Sequence, residues 1–254
     1  ILQEGDIQIR GFQKRLELDV QFVFTANPED YTSRGSIVTP LKDRIGSQIH
    51  THYPKSLEVA LKITAQETQA IQNKYPHVTV NAIAKQLIEQ LAFSARESSF
   101  IDATSGVSAR MTISAFEALL TTVERRRLLE GADQSQVRLS DFYGTIPAIV
   151  GKVELVYEGE QEGAEGVANS LLGHATKMVY ESYFPVFRNL KRTNDSNPFL
   201  HIQNWFSEGG RIELLDEFSQ KEYEKALDID PLNDFMKSHL PKDTTESQSF
   251  LKES

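Results

Sequence analysis

Polar and apolar residues alternate near the start of the chain. Ile7 and Ile9 flank Gln8, and Leu16 and Leu18 flank Glu17, with Gly11-Phe12 between the two limbs. A period of two on either side of a glycine predicts a β-hairpin. The run VQFVFT that follows, Val20 to Thr25, is apolar and ends at Asn27-Pro28, as expected of a buried strand in a parallel sheet. Thr39-Pro40 opens a short helical turn to Arg44, and Ser47 to Tyr53 predicts another strand stopped by Pro54.

The period then changes to that of a helix. Ser56 is placed to cap a helix whose face carries Leu57, Ala60, Leu61 and Thr64. A second stripe runs through Ile83, Leu87, Leu91 and Ala95, and a third through Ile113, Phe116, Leu119, Leu120 and Val123. The third closes on Arg125-Arg126-Arg127 and Gly131, where cations suit the negative end of a helix dipole. Stripes at this spacing are core. Beyond them, Gly151-Lys152 reads as a turn and VELVY as a short strand. Glu158 to Glu165 reads as a loop or helix start and Val167 to Tyr183 as a helix. Residues 188 to 197 read as a polar linker, Phe199–Phe206 and Leu214–Leu227 as two helices, and the polar residues after Pro241 as a disordered tail.

Composition narrows the function classes. The 254 residues carry a net charge of −9, which argues against binding to a phosphate backbone. There is no cysteine, so disulfides, thiolate metal sites and thiol nucleophiles are all excluded. No apolar run approaches the roughly 20 residues that span a bilayer, and no basic-then-apolar start marks a signal peptide, so a cytoplasmic location is expected. The first residue is Ile1, which leads to the expectation of a start inside a longer protein.

The segment from Gly5 to Pro54, with QIRG on a hairpin limb, VFTANP at the end of an apolar strand and PLKDRIGS after it, resembles the AAA+ ATPases of the magnesium-chelatase ATPase-subunit and MoxR-like group. The resemblance covers about the first 130 residues and rests on the order of these elements. It implies an α/β plus all-α fold: the carboxyl-terminal part of a AAA+ P-loop core, then a helical lid and a mostly helical carboxyl-terminal region. The corresponding domains are 1–54, 55–145 and 146–240, with a tail over 241–254.

Three roles follow from the resemblance. Asn27 falls at sensor 1, where an amide helps to orient the attacking water. Arg44 falls at the arginine finger that reaches a neighbouring subunit's nucleotide. Arg110, in SGVSARM, falls at sensor 2, which contacts the phosphates from the lid. Phosphoryl transfer depends on positioning and charge stabilisation, and a guanidinium suits phosphate oxygens. Each residue also has a simpler reading: Asn27 as a turn residue before Pro28, Arg44 as the partner of Asp43 in a surface ion pair, Arg110 as a solvated residue in a first helical turn. Arg34 competes for the finger role and Arg96 for sensor 2.

The resemblance implies ATP and Mg²⁺ in the parent protein, ring assembly (often hexameric) and a partner with a von Willebrand A-type domain. It implies work on that partner, or metal chelation in true chelatases. The sequence contains no G-x-x-x-x-G-K-[ST] and no apolar strand ending in Asp-Glu, so this chain alone is expected to bind no nucleotide tightly and to be inactive. Two alternatives stand beside it: a non-hydrolysing interaction subunit of a AAA+ ring, and a fragment of a AAA+ transcriptional activator. His50 and His52 share one strand face but lack a third ligand, Glu158 and Glu160 sit in an acidic run, and Trp205-Phe206 reads as core.

Overall fold

The first described element is a hairpin. In the computed structural model, which describes residues 6–15, 21–25, 43–103, 105–184, 197–215, 217–240 and 248–254, β1 (Asp6–Ile9) pairs antiparallel with β2 (Phe12–Arg15). Ile9 lies opposite Phe12, so the two-residue loop is Arg10-Gly11, one position earlier than the sequence suggested. Both loop residues have positive φ, 48° and 86°. That is what a primed turn requires if its twist is to match the strands.

The expected parallel-sheet strands are corrected. Residues 21–25 belong to no strand, and Val23 and Phe24 are 81% and 58% exposed. An interior parallel strand needs a hydrogen-bonding neighbour on each edge and cover on both faces, and among the described residues none lies beside this segment. Ser47 to Tyr53 is likewise without strand structure. Asn27, Arg34 and residues 40–42 of the turn expected from Pro40 to Arg44 lie outside the described residues.

The chain divides into two units, residues 1–52 and 53–254. The second is mostly helical. Its first helix, α1 (Leu57–Gln72), starts as the sequence predicts: the Ser56 hydroxyl accepts from the Val59 N–H at 3.4 Å. Its buried face is small, with Ala60, Thr64 and Thr68 spaced by four, and this lets it approach its neighbours closely. The next helix, α2 (Ala82–Glu97), is capped by the Asn81 carbonyl oxygen, which accepts from Ala84 N–H at 2.7 Å. It buries Ile83, Leu87, Leu91 and Ala95, the predicted stripe, and also Ala84, Ile88 and Ala92. A stripe this broad places α2 at the centre, against α1 and α3 (Met111–Glu130) and against α6 (Ala164–Tyr183). Each large side chain sequestered here contributes about 1.5–3 kcal/mol. Helix α3 buries Phe116, Leu119, Leu120 and Val123 and ends at Gly131. A two-residue parallel pair, β3 (Val78–Thr79) with β4 (Ser135–Gln136), joins the chain before α2 to the chain after α3.

A 3₁₀ helix (Ser140–Thr145) leads into α4 (Ile146–Val150). VELVY forms no strand. Val153 and Leu155 make isolated antiparallel bridges to Val107 and Ile101, and Tyr157 opens α5 (Tyr157–Glu162). Helix α7 (Leu200–Ser207) matches the prediction, whereas the predicted helix over 214–227 is confined to α8 (Gln220–Ala226), which starts at a capping box of Ser219 and Glu222. Helix α9 (Asp230–His239) adds Phe235 to an aromatic row with Phe184 and Phe199, at centroid distances of 5.1 and 4.8 Å.

The expectation of a disordered tail is corrected over its described part. Residues 248–253 form α10 (Gln248–Glu253), and Phe250 and Leu251 are each 2% exposed. The Phe250 ring meets Phe142 edge-on at 6.0 Å. A short apolar pair in a polar tail suffices because its receptor on the 3₁₀ helix is apolar as well. One buried cluster includes residues from Val78 to Leu251.

Candidate functional site

The start of α3 is built by the loop before it. Asp102 donates its N–H to the Glu154 carbonyl at 2.9 Å and accepts from Gly106 N–H at 3.1 Å. Its carboxylate also accepts from the Ser105 hydroxyl at 3.0 Å. Ser108 N–H reaches the Lys152 carbonyl at 3.3 Å, so the loop is fastened along residues 152–154. Arg110 then occupies the N-cap position with φ −83° and ψ −3°, its N–H donating to the Ser108 hydroxyl at 3.3 Å.

The Arg110 side chain is exposed and makes no hydrogen bond or ion pair with the described residues. A cation at a helix N-terminus is opposed by the helix dipole, at a cost of about 0.3–1 kcal/mol. The guanidinium itself, exposed and permanently charged, is suited to an anion's oxygens. Arg44, in the first unit, is also exposed and has no ion-pair partner among the described residues, Asp43 included. Asn27 lies outside the described residues, so of the three predicted site residues two are described, one in each unit.

Arg96, the rival for sensor 2, is packed against aromatic rings. Its guanidinium stacks 4.2 Å from the Tyr53 ring centroid and 5.4 Å from that of Phe93. Burial lowers its pKa, with Tyr53 and Glu89 acting in the opposite direction. Glu89, 3% exposed, borders a groove of about 560 Å³ between α1 and α2. Burial pushes its carboxyl up, against the nearby Thr64 hydroxyl and the charge of Arg96. Thr64 in turn shares a 3.0 Å hydrogen bond with Thr112, at the start of α3.

The arginine run at the end of α3 was read as a dipole complement, and here the structure shows more. Arg126 is buried and bonded to Asp141, Glu130 and the Gln136 carbonyl. Burial opposes its charge, and Asp141 and Glu130 more than offset that, holding the guanidinium above its ordinary value. Arg138 lies over the Tyr223 ring at 4.6 Å and donates to the Phe218 carbonyl at 2.7 Å. Burial and the like charge of Arg126 lower its pKa. The signal was present in the sequence: positions 116, 119, 123, 126 and 130 continue one helical stripe, so Arg126 and Glu130 lie in phase with the core. These groups neutralise one another and have a structural role.

Gly151-Lys152 forms the turn after a five-residue helix and does not join a strand to a helix around a phosphate loop. Among the described residues no three His, Asp or Glu side chains converge as a metal site, and His50 and His52 are exposed. No described helix is long and apolar enough to cross a membrane. No protein-family model, curated protein or solved structure matches the chain.

Proposed function

We propose that this chain is part of a AAA+ ATPase of the magnesium-chelatase ATPase-subunit and MoxR-like group, in which a ring of subunits couples ATP hydrolysis to remodelling of a partner protein or to metal chelation. The observation that carries the reading is Arg110, an exposed guanidinium with no hydrogen bond or ion pair among the described residues, at the N-terminus of a 20-residue helix in the helical unit. Structural arginines in this unit, Arg126 and Arg138, are buried and neutralised, and Arg96 is stacked on aromatic rings. Arg110 differs from all three. In the proposed role it stabilises phosphate charge from the lid. Arg44 does so from a neighbouring subunit, and Asn27 orients water. The phosphate cradle and the magnesium ligands come from residues that this sequence does not contain.

The test is ATP turnover by the full-length protein, with Arg44→Ala and Arg110→Ala compared at equal assembly state. Loss of an arginine finger lowers kcat by roughly 10³-fold or more. Unchanged turnover in both variants with intact assembly sinks the site assignment. A full-length protein that assembles but hydrolyses nothing, and that activates a second subunit through Arg44, establishes the non-hydrolysing interaction subunit instead.

A further inference from the structure

Tyr53 is the first residue of the helical unit, and its phenol is built into the loop that carries Arg110. Its hydroxyl donates to the Val107 carbonyl at 2.7 Å and accepts from the Val107 N–H at 3.1 Å. Val107 faces Val153 in a bridge whose Ser108–Lys152 hydrogen bond belongs to the flanking residues, so both backbone groups of Val107 are left to the phenol. The ring is held in place from the other side by Arg96, 4.2 Å from its centroid. The next contact is steric. Gly106 has φ +72°, and a Cβ there would sit 2.8 Å from the Tyr53 hydroxyl oxygen. Only glycine accepts both that backbone conformation and the phenol.

We infer that Tyr53 is a positioning residue for Arg110: its hydroxyl sets the path of residues 105–110 and so the point from which the Arg110 side chain leaves the fold. The role given to Arg110 itself rests on the AAA+ reading. Two residues, Ser108 and Ala109, separate Val107 from Arg110, and Ser108 contacts both sides of that step, through Lys152 and through the Arg110 N–H. Tyr53 is also where the chain enters the unit.

Tyr53→Phe keeps the ring and the Arg96 stack and removes only the hydroxyl. Amide exchange in the chain is read together with ATP turnover of the full-length protein. The expected result is exchange at Val107 faster by roughly tenfold, the scale of one net hydrogen bond, with α2 core amides unchanged. Turnover falls several-fold through kcat with KM held, and the same substitution has no further effect in an Arg110→Ala background. Unchanged Val107 exchange overturns the proposal, as does an equal loss of turnover with and without Arg110. Faster Val107 exchange with turnover indifferent to Arg110→Ala supports the anchoring of the loop and overturns the AAA+ role of Arg110, so the two failures are distinguishable.

Discussion

Arg126 holds Asp141 through two parallel hydrogen bonds, Nε to Oδ1 at 3.0 Å and Nη2 to Oδ2 at 2.9 Å. The same carboxylate accepts the Arg138 N–H at 2.7 Å, so it also fixes the entry to the 3₁₀ helix. Both side chains are nearly sequestered from water, at 10% and 4% exposure. Removing one charge leaves the other buried without its partner, the costly way to break such a pair. Asp141→Ala is expected to lower stability by about 3–5 kcal/mol in urea unfolding. Replacing Arg126 and Asp141 together by apolar residues of similar size is expected to cost much less than the sum of the single changes. Equal and additive costs would mean that the pair is not coupled.

Glu89 gives a pH dependence with a definite sign. Burial raises its folded-state pKa above the ordinary 4.5. Above that ordinary value the unfolded chain loses the proton first, so the folded state binds more protons and stability falls as pH rises. Below it both states are protonated and no penalty exists. Glu89→Gln is therefore expected to raise the thermal midpoint at pH 7 to 8 and to leave it nearly unchanged near pH 4. Thermal melts of the two proteins across that range check the sign. A parallel offset at every pH would assign the effect to packing.

Much of the helical unit was legible because its signals are local. The Ser56 cap and the stripes on α2 and α3 lie within single segments, and propensity and pattern agree there. What failed depended on partners far away in the sequence. VQFVFT has the composition of an interior strand, but a strand is defined by its neighbours and none is described beside it. Phe250 and Leu251 are two apolar residues in a polar tail, and their burial depends on Phe142, more than a hundred positions earlier. The predicted site was legible only as a resemblance: Arg110 is distinguished from Arg96 by what each side chain touches, which no spacing in the sequence reveals.

Besides its apolar pair, α10 is fastened by one carboxylate. Glu253 accepts from the Leu139 N–H at 2.7 Å and the Ser140 N–H at 3.0 Å, and also from the Tyr223 hydroxyl. It satisfies orphan donors at the start of the 3₁₀ helix in the way that a capping side chain does, from a distant part of the chain. Charge-assisted bonds of this kind contribute about 1.5–3 kcal/mol. Glu253→Ala is expected to expose residues 248–254 to carboxypeptidase while the α2 and α3 core stays protected in amide exchange. Unchanged digestion would place the docking in Phe250 and Leu251 alone.

Gly106 and Tyr53 form a pair whose coupling can be measured without reference to function. Gly106→Ala faces two obstacles: a positive φ, which costs about 1–2 kcal/mol for a residue with a Cβ, and a Cβ 2.8 Å from the Tyr53 hydroxyl oxygen. The first belongs to the backbone and persists whatever occupies position 53. The second ends when the hydroxyl is removed. Gly106→Ala in a Tyr53→Phe background is therefore expected to destabilise less than in the wild type, by a coupling of about 0.5–3 kcal/mol, the range for residues in contact. Urea unfolding of the four proteins gives that number directly. A coupling indistinguishable from zero would mean that the loop shifts to admit the methyl group, and that the phenol does not fix its path.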